Sequence, residues 1–259
     1  MGEQPKIEAK DMELRYGAYV VMRDVNVQIK RGEIFIIMGG SGSGKSTLLK
    51  AMTGLLEPAR GAVYFDGVNF TAAPPEQRNE MVRQFGVLFQ SGALWSSMTL
   101  EENVALPLEQ FTRLAPAQIK EIVRLKLALV GLKGFEEYYP SQISGGMAKR
   151  AGLARAMALD ADILFLDEPS AGLDPISSRR LDELILQLRD SLQTTVVVVT
   201  HELASIFAIG DNSIYLSAQA KTVTARGNPR RLLEETTDPE VKEFLSRGAE
   251  NLGKKEAVL

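Results

Sequence analysis

FIIMGGSGSGKSTLLKAMT, residues 35–53, is the stretch of this chain that decides its fold. The apolar residues 34–38 predict a buried strand, and from Leu48 onward apolar residues recur at helical spacing. The turn between them matches the phosphate-binding pattern GxxxxGK(S/T) at residues 39–46. Because a strand leads into the turn and a helix leaves it, the sequence predicts a nucleotide site here.

Each residue type in this turn has a reason to be there. Glycines let the backbone reach positive φ and approach a phosphate without a Cβ in the way. The loop amides and the positive end of the helix dipole then point at one anion. We expect Lys45 to reach the β- and γ-phosphates of the nucleotide, and the Ser46 hydroxyl to ligate Mg²⁺. The predicted nucleotide-binding residues of the loop are Gly39, Gly40, Ser41, Gly42, Ser43, Gly44, Lys45, Ser46 and Thr47. The alternative, a turn that merely joins a strand to a helix, needs fewer glycines and no lysine-serine pair.

The composition is that of an ordinary globular protein. The chain has 259 residues, of which 45% are hydrophobic and 24% charged, enough for one large domain or a core with an inserted subdomain. A formal net charge of −3 provides no bulk basic field, so nucleic acid is not an expected partner. Cysteine is absent, which excludes disulfides and thiolate metal sites and fits a reducing compartment. The charged N-terminal residues do not resemble a signal peptide, and no apolar run is long enough to span a membrane. If the protein works at a membrane, we expect another chain to anchor it.

The N-terminal region predicts two strands, IEAKDMEL at 7–14 and VNVQI at 25–29, joined by a connection at 15–24. Tyr16 lies in this connection beside a glycine. An exposed aromatic upstream of a phosphate loop could stack on an adenine ring, but ordinary packing explains it as well. Both interpretations remain open at this point.

Polar side chains follow two further apolar runs. Gln90 ends FGVLFQ, where its amide could ligate a metal or orient water. The run ILFL at 163–166 is typical of a buried parallel strand, and it is followed directly by Asp167 and Glu168. Ligands of open α/β sheets bind at the carboxyl ends of such strands. We therefore expect Asp167 to hold hydrated Mg²⁺ and Glu168 to polarise an attacking water.

Two other positions could complete the site. His201, the only histidine, follows the valine-rich run TTVVVV and should lie at the same sheet edge, where it could contact the γ-phosphate. A lone histidine is, however, often a satisfied structural group. Ser144-Gly145-Gly146 precedes a helix and could form a second phosphate site, although an ordinary N-cap is the simpler interpretation.

The remaining segments are less specific. Residues 91–155 are poor in strands and predict an inserted helical subdomain, with Trp95, Met98 and Leu100 as exposed apolar residues. After the strands NSIYL and KTVTA, we expect helices at about 229–235 and 239–246. The polar tail AENLGKKEAVL is expected to fray.

The order of these motifs over about 7–226 resembles the ATP-binding subunits of ABC transporters. The resemblance implies an α/β P-loop NTPase core with an N-terminal antiparallel β subdomain (1–90 and 156–226), an α-helical signature subdomain (91–155) and a C-terminal helical extension (227–259). It implies catalytic roles for Lys45, Gln90, Glu168 and His201. It implies metal ligation by Ser46, Gln90 and Asp167, and further nucleotide contacts from Tyr16 (stacking on adenine), Ser144, Gly145, Gly146 and Asp174.

The resemblance also implies partners and cofactors. In this family two copies meet head to tail, so that the signature turn of each caps the ATP and Mg²⁺ bound by the other. It implies a multi-span permease as partner and a position at the cytoplasmic face of the bacterial inner membrane. The apolar segment after Gln90 is then the expected contact with the permease.

Two short stretches point to a branch of the family. Ile143 and Met147 replace the first and last residues of the usual signature LSGGQ, and AGLD, with Asp174, replaces the usual SALD. SGGMAKR and LFQSGALWSSMTLEENVALPL are similar to the MlaF-like ATPases that drive MCE-type phospholipid transport across the Gram-negative envelope, which implies an MCE-domain partner. The alternatives are an importer of amino acids or other polar solutes, and a non-transport ATPase that regulates a membrane complex. ABC ATPases of DNA repair or translation usually carry a coiled-coil insertion or two cassettes, and neither fits this chain.

Overall fold

The computed structural model describes residues 4–90 and 92–256, with side chains as far as residue 247. The described part contains the strands β1 (Ile7–Tyr16), β2 (Tyr19–Ile29), β3 (Ile34–Met38), β4 (Arg60–Phe65), β5 (Val68–Asn69), β6 (Phe85–Leu88), β7 (Ile163–Asp167), β8 (Thr195–Val199), β9 (Asn212–Ser217) and β10 (Thr222–Gly227). It contains the helices α1 (Lys45–Met52), α2 (Pro75–Val82), α3 (Leu100–Phe111), α4 (Pro116–Leu129), α5 (Gly145–Ala156), α6 (Pro175–Leu192), α7 (Leu203–Ile209), α8 (Pro229–Glu235) and α9 (Pro239–Glu256).

The larger sheet has six strands in the order β10-β9-β3-β8-β7-β6. All neighbours pair in parallel except β10, which runs antiparallel to β9 at the edge. Every residue of β3, β7 and β8 is buried, as expected for parallel strands covered on both faces. The sequence prediction of an α/β fold built on these apolar runs is confirmed. The parallel strands bring their carboxyl ends to one edge of the sheet.

The second sheet is antiparallel, with the order β2-β1-β4-β5. β1 and β2 pair as far as Tyr16 and Tyr19, so the connection between them is only two residues long, with Gly17 at φ 57°. The predicted ten-residue connection is therefore wrong: the alternation of buried and exposed residues continues to Leu14 on β1 and resumes at Met22 on β2. Tyr16 is the last residue of a strand and does not lie in a loop.

Helices α3, α4 and α5 pack against one another, and α5 also packs against β6. Helix α3 begins after Thr99, which forms a reciprocal capping box with Glu102. Trp95 is 59% exposed, as predicted, but Leu100 is fully buried in the core. The prediction that Leu100 is exposed is wrong, because Leu100 packs into the hydrophobic core that α3 shares with α4 and α5. Within the described residues, no helix is both long and apolar enough to cross a membrane.

The C-terminal helices cover the face of the large sheet opposite α1. The bounds predicted for α8 are confirmed, whereas α9 extends to Glu256 instead of ending near residue 246. The predicted fraying is therefore wrong for residues 249–256, and the rest of that tail lies outside the described residues. Val241 and Leu245 of α9 are fully buried, and the Glu240 carboxylate accepts hydrogen bonds from Tyr215 and Ser217 of β9.

Candidate active site

A cleft of about 700 Å³ is lined by residues at the carboxyl ends of β3, β6 and β8 and by the residue that follows β7. The cleft is an open groove above the phosphate-loop turn, at the edge where ligands of parallel sheets bind. Its walls are formed by Val21, Gly39, Gly40, Ser41, Gly42, Gly44, Lys45, Ser46, Thr47, Gln90, Glu168, His201, Leu203, Phe244 and Arg247. The structure thus brings together most of the predicted site residues, from four separate stretches of sequence.

The turn after β3 has a backbone that only glycine can adopt at two positions. Gly39 has φ 150°, and a Cβ there would stand 2.4 Å from the carbonyl oxygen of Leu216. Gly44, the residue before α1, has φ 91°, and its Cβ would meet the side chains of Met22 and Val21 at 2.4 and 2.8 Å. The two glycines therefore let the loop lie closely on β9 and β2, with the α1 N-terminus directed into the cleft.

The Lys45 ammonium is held inside its own loop. Lys45 Nζ donates hydrogen bonds to the carbonyl oxygens of Gly39 (3.0 Å) and Gly40 (2.9 Å). Burial lowers the pKa of Lys45, and the carboxylates of Glu168 and Asp167 oppose that shift. A half-buried cation with two neutral acceptors is well placed to exchange them for the charged oxygens of a phosphate.

Ser46 and Asp167 are joined by a hydrogen bond at the start of α1. The Ser46 hydroxyl donates to Asp167 Oδ1 at 3.0 Å, and burial raises the pKa of Asp167 although this hydrogen bond lowers it. Gln90 lines the same cleft from the end of β6. Hydroxyl, carboxylate and amide oxygens are the hard ligands that Mg²⁺ prefers, and Mg²⁺ in nucleotide sites takes few ligands from the protein. The residues present therefore fit this metal.

Glu168 follows β7 and meets the histidine that follows β8. His201 Nδ1 lies 2.8 Å from Glu168 Oε1, and the Glu168 amide donates to the Val199 carbonyl at 2.8 Å. Glu168 has φ 50°, a conformation that side-chain-bearing residues rarely adopt, and its second carboxylate oxygen is buried without a hydrogen-bond partner. An unpaired buried carboxylate oxygen is able to accept a hydrogen bond from a water molecule entering the cleft.

Six of the predicted nucleotide-binding residues do not line this cleft. Ser43 belongs to the phosphate loop but is buried. Tyr16 is 51% exposed at the end of β1, while Val21 forms the wall on that side. Ser144 caps α5, where its hydroxyl accepts from the Met147 amide at 3.2 Å, and Gly145 and Gly146 form the first turn of that helix.

Asp174, the sixth, caps α6 by accepting from the amides of Ile176 and Ser177 at 3.0 Å each. Hydrogen bonds from the side chain and the amide of Ser177 lower the pKa of Asp174. Ordinary helix caps thus explain the local positions of Ser144 and Asp174, and a role for either toward a nucleotide on a second copy stays a prediction.

Sequence reasoning missed several residues of the site. Leu203, Phe244 and Arg247 line the cleft, two of them from α9, and Lys149 reaches the backbone of Glu168 from α5. No local pattern marks Phe244 or Arg247, because the C-terminal helix reaches the cleft only through tertiary packing. Lys149 stands in SGGMAKR, but its spacing does not tell which neighbour its side chain meets.

Comparison with known proteins agrees with this geometry. The sequence profile of the family described as "ABC transporter" matches residues 22–171. The probable ribonucleotide transport ATP-binding protein mkl of Mycobacterium leprae is 40% identical over 240 residues, which are 93% of this chain and 68% of that protein. The intermembrane phospholipid transport system ATP-binding protein MlaF of Haemophilus influenzae is 41% identical over 242 residues, 93% of this chain and 90% of that protein.

Solved structures give the same result. The ATP-binding cassette MJ0796, in a dimeric post-hydrolysis state bound to ADP and Pi, superposes with a TM-score of 0.78 at 31% identity, covering 85% of this chain and 97% of that one. The structure of cbiO1 from Clostridium perfringens, part of the complex cbiONQ, superposes with a TM-score of 0.81 at 25% identity. The superposition covers 98% of this chain and 100% of that one.

Proposed function

Because this chain belongs to the ABC transporter family as an ATP-hydrolysing cassette, we propose that it powers a separate membrane permease and that the cargo is phospholipid. The observation that carries the proposal is the convergence of Lys45, Ser46, Glu168 and His201 in one cleft at the carboxyl edge of the sheet, with Asp167 hydrogen-bonded to Ser46. These side chains supply what phosphoryl transfer to water requires: a phosphate cradle, metal ligands and a base.

In the proposed reaction, the phosphate loop and Lys45 hold the β- and γ-phosphates of ATP. The unpaired Glu168 oxygen accepts a hydrogen bond from a water and takes its proton as the water attacks the γ-phosphorus in line, releasing ADP and phosphate. His201 orients the Glu168 carboxylate through its 2.8 Å contact and faces the γ-phosphate. Mg²⁺, held by Ser46, Asp167 and Gln90, would neutralise charge on the phosphates.

The site is proposed to be completed by a second copy. Ser144, Gly145 and Gly146 lie outside the cleft of their own chain, at a helix N-terminus suited to an anion. In a head-to-tail dimer, each turn caps the ATP held by the other copy, while Tyr16 stacks on the adenine and Asp174 lines the interface. ATP then joins the two copies, and its hydrolysis lets them separate.

The permease is proposed to dock beside Trp95, whose large exposed side chain follows Gln90 in sequence. Contact there would connect the nucleotide cleft to the membrane subunit and place the chain at the cytoplasmic face of the inner membrane. The similarity to MlaF proteins supports phospholipid as the cargo and an MCE-domain protein as a further subunit. The similarity to a protein named for ribonucleotide transport favours a polar-solute importer as the second candidate.

Reconstitution with its permease tests the proposal. The parent complex in nanodiscs should transfer labelled phospholipid in an ATP-dependent manner, while labelled ribonucleotides or amino acids remain untransported. Glu168→Gln should bind MgATP with the parent's affinity, accumulate a closed dimer and lose at least about a hundredfold in hydrolysis. Hydrolysis by this variant at the parent's rate would refute Glu168 as the base, and transport of a polar solute alone would refute the lipid assignment.

A further inference from the structure

Lys149, in the second turn of α5, holds the backbone of the loop that carries Glu168. Its Nζ donates hydrogen bonds to the Glu168 carbonyl at 3.0 Å and to the Ala171 carbonyl. The side chain is buried, so the charge is removed from water and stabilised by these two carbonyl dipoles.

The carbonyl that Lys149 holds belongs to a strained residue. With φ at 50°, Glu168 needs its surroundings to keep it in a conformation that costs of order 1 kcal/mol. The Glu168 amide is bound to Val199, its carboxylate contacts His201, and its carbonyl is held by Lys149. The end of β8 and the residue His201 after it thus hold the amide and one carboxylate oxygen, while the carbonyl accepts from Lys149 of α5 and, at 3.3 Å, from the Ala171 amide of the same loop.

The electrostatic surroundings agree with this arrangement. Burial lowers the pKa of Lys149, while the nearby carboxylates of Glu168 and Glu202 raise it. Both carboxylates thus favour the charged form of Lys149. Its charge lies close to the two strand ends that meet in the cleft.

Helix α5 also begins at the Ser144 turn. From Ser144 to Lys149 the helix rises only about 7.5 Å. In the same turn, a Cβ at Gly146 would be 3.1 Å from the Leu173 side chain, and further along α5 Arg155 donates to the carbonyls of Gly92 (3.0 Å) and Ala93 (2.8 Å). Helix α5 therefore contacts two loops of its own chain, the loop after β6 and the loop after β7, and both of these strands end at the cleft.

We propose that Lys149 is a positioning residue that fixes Glu168 for catalysis and transmits the position of the Ser144 turn to it. The proposal rests on the proposed roles of Glu168 and of the Ser144 turn. When that turn caps the nucleotide of a second copy, any shift of α5 moves the Lys149 ammonium and with it the Glu168 carbonyl. The state of one ATP site thereby reaches the base of the other site through a single side chain.

Replacement by methionine tests this, because it removes the ammonium and keeps most of the volume. Lys149→Met should lower kcat by roughly tenfold or more, since a small displacement of a catalytic group is costly, while the Kd for MgATP changes less than about twofold. Lys149→Arg, which can still donate to both carbonyls, should keep most of the activity. Lys126→Met is the matched control: Lys126 is a buried lysine of α4 paired with Asp160, and its loss should leave kcat unchanged.

A double variant separates positioning from a general structural role. In the Glu168→Gln background, Lys149→Met should lower the residual single-turnover rate less than about twofold, because the group it positions is already gone. The proposal is overturned if Lys149→Met keeps the parent's kcat, or if the full loss recurs in that background. Circular dichroism and thermal unfolding check the fold; should the methionine variant not fold, Lys149→Gln takes its place. Parent-like hydrolysis by Glu168→Gln alone would instead refute the base assignment.

Discussion

Asp182 is a buried carboxyl group between two helices that begin near the site. It lies on α6, and its Oδ2 accepts a hydrogen bond from the Ser205 hydroxyl of α7 at 2.9 Å. Burial raises the pKa of Asp182 to about 6 from the model-compound value of 3.8, against the lowering effect of that hydrogen bond. The native chain therefore holds this proton more tightly than the unfolded chain does. The contribution of Asp182 to the free energy of unfolding is fully present below about pH 4. It falls as the pH rises to about 6 and stays reduced above that pH.

Asp182→Asn should therefore stabilise the protein at neutral pH. The amide keeps an oxygen for Ser205 but carries no charge, so the free energy of unfolding at pH 7.5 should rise by up to about 3 kcal/mol. Near pH 4 the variant and the parent should be nearly equal. Urea unfolding at both pH values measures the difference, with Asp190→Asn, an exposed carboxylate on the same helix, as control. A difference independent of pH would mean that ionisation of Asp182 does not limit the stability of the protein.

At the scale of the element, α9 is an integral part of the fold. Leu245 is fully buried among residues of the core that includes α7 and the large sheet. Leu245→Ala should lower the free energy of unfolding by about 2–4 kcal/mol, because it removes buried methyl groups and leaves a cavity. Leu192→Ala, on the exposed side of α6, should change it by less than about 0.5 kcal/mol. Denaturant titration decides, and equal effects of the two changes would mean that α9 is not docked in solution.

The elements differ in how far the sequence predicts them. Local patterns predict the strands β3, β7 and β8, because each is a continuous apolar run. They also predict that Asp167, Glu168 and His201 meet, because parallel strands bring their carboxyl ends to one edge of the sheet. Local patterns predict neither the burial of Leu100 nor the contribution of α9 to the cleft. The burial of Leu100 depends on the direction in which α3 leaves its cap, and the approach of α9 depends on packing between segments far apart in sequence. The contact of Lys149 with Glu168 also depends on such packing, so local patterns do not predict it.

At the scale of the whole molecule, the cleft is open on the side away from the sheet. Its described walls come from one chain and do not include the turn at residues 144–146. Gly145 points into open space, since a Cβ there would have no atom within 4 Å. A side chain added at this position should therefore leave its own chain intact and act only on a ligand or copy that approaches from outside.

Mixing two inactive variants tests this arrangement. Lys45→Ala disables the cleft of its own chain, and Gly145→Asp should repel the phosphates held by the other copy, so each variant alone should lose hydrolysis. In a one-to-one mixture, half of the dimers pair the two variants, and each such dimer has one site with an intact loop and an intact turn. The mixture should then regain about a quarter of the parent's hydrolysis if the sites work independently. Gly145→Ala, which adds no charge, should stay active as the control. A mixture no more active than its components would place the turn and the loop of each site in the same chain.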